Sequence, residues 1–133
     1  MTKLIWITGA SSGIGRSCAI KFANEGWIVI ASARRKNKLL ELSKVKSKNQ
    51  IIPLALDIRN TILLKKKLKS TFDKYGIPDI FFLNAGTHLA DSKDNFDYGS
   101  FKSLIETNLI GTVNCISQIL PLLKNNANNN SQV

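Results

Sequence analysis

Four short, almost uninterrupted apolar runs punctuate the chain: Leu4 to Ile7, Trp27 to Ala31, Ile51 to Leu56 and Ile80 to Leu83. Continuous apolarity without polar alternation marks strands buried on both faces, the signature of a parallel sheet. Between the runs, apolar residues recur at helical spacing. Ile14, Cys18 and Phe22 fall every fourth residue before Gly26, and Leu64, Leu68 and Phe72 do so before Gly76-Ile77-Pro78. Both rows predict helices closed by glycine. Leu39, Leu40 and Leu42 predict a shorter helix after the second strand. The last helix is predicted to be the longest, with Phe101, Ile105, Leu109, Thr112, Ile116, Ile119, Leu120 and Leu123 along one broad face.

The order is thus β-α-β-α-β-α-β-α, which right-handed crossovers fold into a parallel sheet with helices on both faces. The predicted class is α/β, an incomplete doubly wound sheet of Rossmann type with strand order 3-2-1-4. Pro53 lacks a backbone donor, so the third strand belongs at an edge. No repeat or linker divides the chain, and residues 1–133 read as a single partial domain. A polar, Asn-rich stretch at 125–131 reads as a loop leading toward a truncated fifth strand that begins at Val133.

Composition adds boundaries. A chain of 133 residues, 44% of them hydrophobic, buries roughly two thirds of its unfolded surface and needs neither disulfide nor metal to form a core. Cys18 and Cys115 both fall in predicted helices and read as free thiols, buried or half-buried. The run Leu4 to Ile7 is too short for a signal peptide core, and no run approaches a membrane span, so a cytoplasmic protein with no membrane partner is expected. Nineteen Lys and Arg against nine Asp and Glu give a net charge of +10, which raises nucleic acid or an anionic ligand as partners and a basic nucleic-acid-binding domain as a further, weaker reading. Lys44, Lys46, Lys48 and the run Lys65-Lys66-Lys67 lie in or beside amphipathic helices with no interleaved aromatics. They read as solvated faces, and no nucleic-acid partner is expected.

The first strand runs into Thr8-Gly9-Ala10-Ser11-Ser12-Gly13-Ile14-Gly15. Glycines there allow a tight turn and close approach of backbone N–H groups to a pyrophosphate, and the helix that follows adds positive potential. The spacing is not that of an ATPase phosphate loop, because Ile14 stands where the second glycine is required. The Gly-x-Gly-x-x-Gly spacing is also absent.

Thr8-Gly-x3-Gly-x-Gly15, Asn84-Ala85-Gly86 after the fourth strand and Asn108-x2-Gly111 in the next helix resemble the short-chain dehydrogenase/reductase family, over essentially the whole chain. The resemblance implies that Thr8, Gly9, Ser11, Ser12, Gly13, Ile14 and Gly15 hold a cofactor's pyrophosphate and ribose. It implies that Asp57 bonds the adenine amino group with Ile58 beside it, and that Asn84, Ala85 and Gly86 form the floor. For Asp57 a helix-capping role competes, since it and Asn60 just precede the third helix. At the end of the second strand, Ser32-Ala33-Arg34-Arg35 offers no carboxylate for a ribose hydroxyl, whereas Arg34 can pair with a 2′-phosphate. NADP is therefore expected over NAD, with Arg34 the principal residue and Arg35 secondary.

The family's chemistry uses a helix Asn, a Ser after the fifth strand and a Tyr-x-x-x-Lys helix. Asn108 matches the first and is the expected catalytic residue, supporting a proton relay. Tyr98-x-x-x-Lys102 has the spacing but lies upstream of Asn108, out of order, and reads as a surface pair. His88 reads as a solvent-facing loop residue. The resemblance implies the N-terminal portion of an NADP-dependent oxidoreductase acting on a small carbonyl or alcohol. The whole enzyme would be homo-oligomeric, and this portion inactive by itself. A noncatalytic dinucleotide-binding module is the competing reading.

Overall fold

A computed structural model describes residues 1–88, 96–125 and 133. Strand β1 (Leu4–Thr8) is buried along its entire length and lies between β2 (Ile28–Ala33) and β4 (Ile80–Leu83). Strand β3 (Ile51–Ala55) closes the other side, giving the parallel order β3-β2-β1-β4. Pro53 sits on that edge strand as its missing donor requires, opposite Ala31.

Side-chain alternation along β1 builds two cores. Leu4 and Trp6 face Leu64, Leu68 and Phe72 of α3 (Thr61–Tyr75) and Cys115 and Ile119 of α5 (Thr112–Asn125). Ile5 and Ile7 face Ala19 and Ala23 of α1 (Gly13–Asn24) and Leu39 and Leu42 of α2 (Lys36–Ser43). Trp6 meets Phe72 and Phe81 edge-on at centroid distances of 5.9 and 6.3 Å. Its indole N–H donates to Ser32 Oγ at 2.8 Å, so this buried donor is satisfied.

Two helical readings need correction. Helix α1 does not bury Ile14, Cys18 and Phe22: Ile14 is 70% exposed and the other two are half-buried. The buried row is Gly15, Ala19 and Ala23, one residue later. Small residues win there because the helix lies close against the sheet, while Phe22 packs instead on the Trp27 ring at 5.2 Å. The long last helix is three pieces, α4 (Tyr98–Ile105), a π-helical segment (Glu106–Gly111) and α5. The wider turn shifts the register, so Gly111, Cys115 and Ile119 are buried while Phe101, Leu109 and Leu120 stay exposed. Leu40 is likewise exposed on α2.

Asn125 ends α5; the rest of the expected polar loop, from residue 126 to 131, lies outside the described residues. Cys18 and Cys115 are free, and burial pushes the Cys115 thiol up to about 12, which leaves it protonated and unreactive. Among the described residues no helix is long and apolar enough to cross a membrane.

Candidate functional site

Parallel strands place all their carboxyl ends at one edge of the sheet, where ligands of open α/β folds bind. The loop after β1 is tied down from below. Gly9 adopts φ +68°, and a Cβ there would come within 2.7 Å of Ala85 Cα. A Cβ on Gly15 would lie 2.3 Å from the Gly9 carbonyl oxygen. Both positions therefore exclude a side chain. Asn84 Nδ2 donates to the carbonyls of Thr8 and Gly9, at 3.4 and 3.3 Å, and the Ala85 N–H donates to Thr8 Oγ1 at 3.0 Å. Asn84 and Thr8 thus fasten the loop after β4 to the loop after β1. The Ala10 N–H adds a third tie, to the Ser32 carbonyl at 3.0 Å.

Ser12 is the N-cap residue of α1, yet its hydroxyl caps no backbone donor. It instead accepts from Arg35 Nη2 at 3.0 Å, as Ser11 Oγ does at 2.9 Å. The start of α1 accordingly has no side-chain cap, which favours anions at that end of the helix. Gly13 has φ +55°, and a Cβ on it would meet nothing within 4 Å.

A cleft of about 350 Å³ opens above these loops. Gly9 and Ser11 border it from β1, Arg34 and Arg35 from β2, Asp57 and Ile58 from β3, and Ala85 and Gly86 from β4. Ser32, Ala33, Leu56 and Thr107 complete the lining. Ser32 and Ala33 belong to the stretch singled out at the end of β2, whereas no motif flagged Leu56 and Thr107, although Leu56 stands at the end of β3, where the fold rule looks for ligand contacts. Of the expected cofactor residues, Thr8 and Asn84 lie beneath the lining as supports. Ser12, Gly13, Ile14 and Gly15 lie along the glycine turn and the first turn of α1 rather than in the cleft wall.

Asp57 does not cap α3; Asn60 does, its Oδ1 accepting from the Leu63 N–H at 3.1 Å. Asp57 instead binds Arg59, whose Nε reaches Oδ1 at 3.0 Å and whose Nη2 reaches Oδ2 at 2.8 Å. This bond holds the Asp57 carboxyl below the usual carboxylate range, against a smaller opposing push from burial. The carboxylate stays ionised at neutral pH and keeps lone pairs free to accept a further donor. Ile58 is buried against Gly111, where a Cβ would fall 2.6 Å from its Cδ1, and its carbonyl accepts from Asn114 Nδ2 at 2.7 Å.

Asn108 stands in the π-helical segment. Its Oδ1 accepts from the Thr87 N–H at 2.7 Å and its Nδ2 donates to the Thr87 carbonyl at 2.8 Å. One amide hydrogen and one lone pair remain for another partner. His88 and Tyr98 are exposed, and Lys102 pairs with Glu106 at 3.9 Å, as a surface reading of Tyr98 and Lys102 anticipates.

Backbone donors at a glycine turn, an uncapped helix start, two arginines and an ionised acceptor fit a nicotinamide dinucleotide with its anionic phosphates and adenine. Comparison with known proteins agrees. The family model described as short chain dehydrogenase matches residues 3–131. The chain is 34% identical over 124 residues to Oxidoreductase BOA17 of Botryotinia fuckeliana, covering 93% of this chain and 45% of that protein. It is 32% identical over 123 residues to the NADPH-dependent pterin aldehyde reductase of Arabidopsis thaliana, covering 91% and 51%. A short chain dehydrogenase structure from Bacillus anthracis superimposes with a TM-score of 0.85 at 31% identity, covering 92% of this chain and 50% of that one. The chain spans about half the length of these relatives. Fold, glycine turn and family match converge: the chain belongs to the short-chain dehydrogenase family of NAD(P)-dependent oxidoreductases.

Proposed function

We propose that this chain forms the cofactor-binding part of an NADP-dependent oxidoreductase that exchanges hydride between NADP(H) and a small carbonyl or alcohol. The observation that carries NADP is the end of β2: Arg34 and Arg35 border the cleft together, and the carboxylate among its lining residues, Asp57, is held by Arg59. A ribose 2′-phosphate gains charge-assisted bonds in such a place, whereas a bare 2′-hydroxyl finds no acidic acceptor at the β2 end. The NADPH dependence printed for the Arabidopsis relative supports the same choice.

Bound nicotinamide would supply or accept the hydride; the residues here bind and orient it. Gly9, Gly13 and Gly15, with Ser11, Ser12 and Ile14, hold the pyrophosphate at the start of α1. Asp57 accepts from the adenine amino group beside Ile58, and Asn84, Ala85 and Gly86 form the floor. Asn108, fixed by its two bonds to Thr87, offers its remaining hydrogen and lone pair to a water that relays protons. The family's Ser and Tyr-x-x-x-Lys are needed for turnover, and here that tyrosine spacing occurs upstream of Asn108, at Tyr98 and Lys102. The chain alone binds cofactor without turnover, and the whole enzyme works as a homo-oligomer.

Calorimetric titration with NADP+ and NAD+ tests this. NADP+ should bind at least about tenfold tighter, the worth of one charge-assisted pair, and Arg34→Gln should remove most of that margin. Equal binding of the two nucleotides, or tighter NAD+, rejects NADP dependence.

A further inference from the structure

Arg35 departs from its neighbour in one respect. Arg34 borders the cleft and forms no hydrogen bond among the described residues, whereas Arg35 reaches back 24 residues and places one nitrogen between Ser11 Oγ and Ser12 Oγ, at 2.9 and 3.0 Å. Both acceptors are neutral hydroxyls, and Arg35 forms no ion pair among the described residues. A phosphate oxygen is a stronger acceptor for a guanidinium than a hydroxyl is. The same bond diverts Ser12, the N-cap residue of α1, from its own helix.

We infer that Arg35 is a clasp that changes partners: it leaves the glycine turn for the 2′-phosphate when NADP enters, releasing Ser11 and Ser12 toward the cofactor. This rests on the NADP reading above and adds to it a coupling between charge sensed beside β2 and the shape of the turn after β1. Arg34 would contribute attraction alone. Arg35 would contribute attraction and, for a cofactor without the extra phosphate, a hydroxyl pair still occupied.

The test is the ratio of NADP+ to NAD+ affinity, measured by calorimetry on the wild type, Arg35→Gln, Arg35→Lys and Ser11→Ala/Ser12→Ala. Arg35→Gln should lower the ratio about tenfold, by loss of one charge-assisted interaction. Arg35→Lys, which keeps the charge, should recover part of it. The double serine variant should leave NAD+ affinity unchanged and weaken NADP+, lowering the ratio, because only NADP+ frees the two hydroxyls for its own use. If Arg35→Gln weakens both nucleotides equally, or neither, the clasp is rejected. A double serine variant that weakens NAD+ as much as NADP+ also rejects it. Should Arg35→Gln fail to melt as a folded chain, the lysine and serine variants decide by the same ratio. Failure of the wild type to bind either nucleotide overturns the proposed function itself, an outcome separate from binding with an unaltered ratio.

Discussion

Helices α1 and α3 flank the same sheet from opposite sides, and they meet it differently. Helix α1 presents Gly15, Ala19 and Ala23; helix α3 presents Leu64, Leu68 and Phe72. Their starts differ too. Asn60 caps α3 with its side chain, whereas Ser12 leaves α1 uncapped and binds Arg35. The difference follows from position: α1 grows out of the glycine turn, so it must lie near β1 and keep its first amides available to a ligand. Helix α3 carries no such duty and is built as a wall, with large side chains inside and a closed end.

Breaking the wall should have the largest effect. Leu64 is fully buried, and Leu64→Ala should cost about 4 kcal/mol through lost burial and the cavity left behind; denaturant melts measure it. On the opposite side, Gly15→Ala should cost about 3 kcal/mol by overpacking, since its Cβ would strike the Gly9 carbonyl. A neutral result there would show that α1 can back away from the sheet. The caps sharpen the contrast further. Asn60→Ala should lose about 1 kcal/mol, while Ser12→Ala and Ile14→Ala should each stay within about 0.5 kcal/mol, because Ser12 caps nothing and Ile14 is exposed.

Acid gives a smaller effect near the start of α3. The Asp57 carboxyl is lowered by Arg59, so its ionised form stabilises the fold above its unfolded pKa, and that contribution is lost as pH falls below about 4 through the folded value. Thermal melts of Asp57→Asn should therefore lose less stability than wild type over that interval. An identical acid dependence would show that the Arg59 pair adds nothing measurable to the fold.

The same contrast explains what the sequence discloses. Apolar runs located all four strands, Pro53 located an edge, and the row Leu64, Leu68 and Phe72 is the row that packs. Those signals rest on large apolar side chains, which the hydrophobic pattern weighs heavily. Helix α1 was legible as a helix, but its buried face was not, because that contact is governed by volume: glycine and alanine rank low in hydrophobicity but are what a close approach permits. The π-helical turn escaped because six residues show no period. Gly9, Ser11, Asp57, Ile58, Ala85 and Gly86, singled out by the family resemblance, line one cleft. Arg34 and Arg35 are adjacent and chemically identical, so only geometry shows that Arg35 is the one bonded to two hydroxyls.

The six residues from Glu106 to Gly111 touch two loops at once. Asn108 grips Thr87 after β4, and three positions on Gly111 receives Ile58 after β3. These loops border the cleft from opposite ends of the strand order, with β1 and β2 between β4 and β3. The segment works as a gauge that sets the span between floor and wall. A residue inserted or removed there would alter the width offered to a ligand while leaving every strand pairing in place.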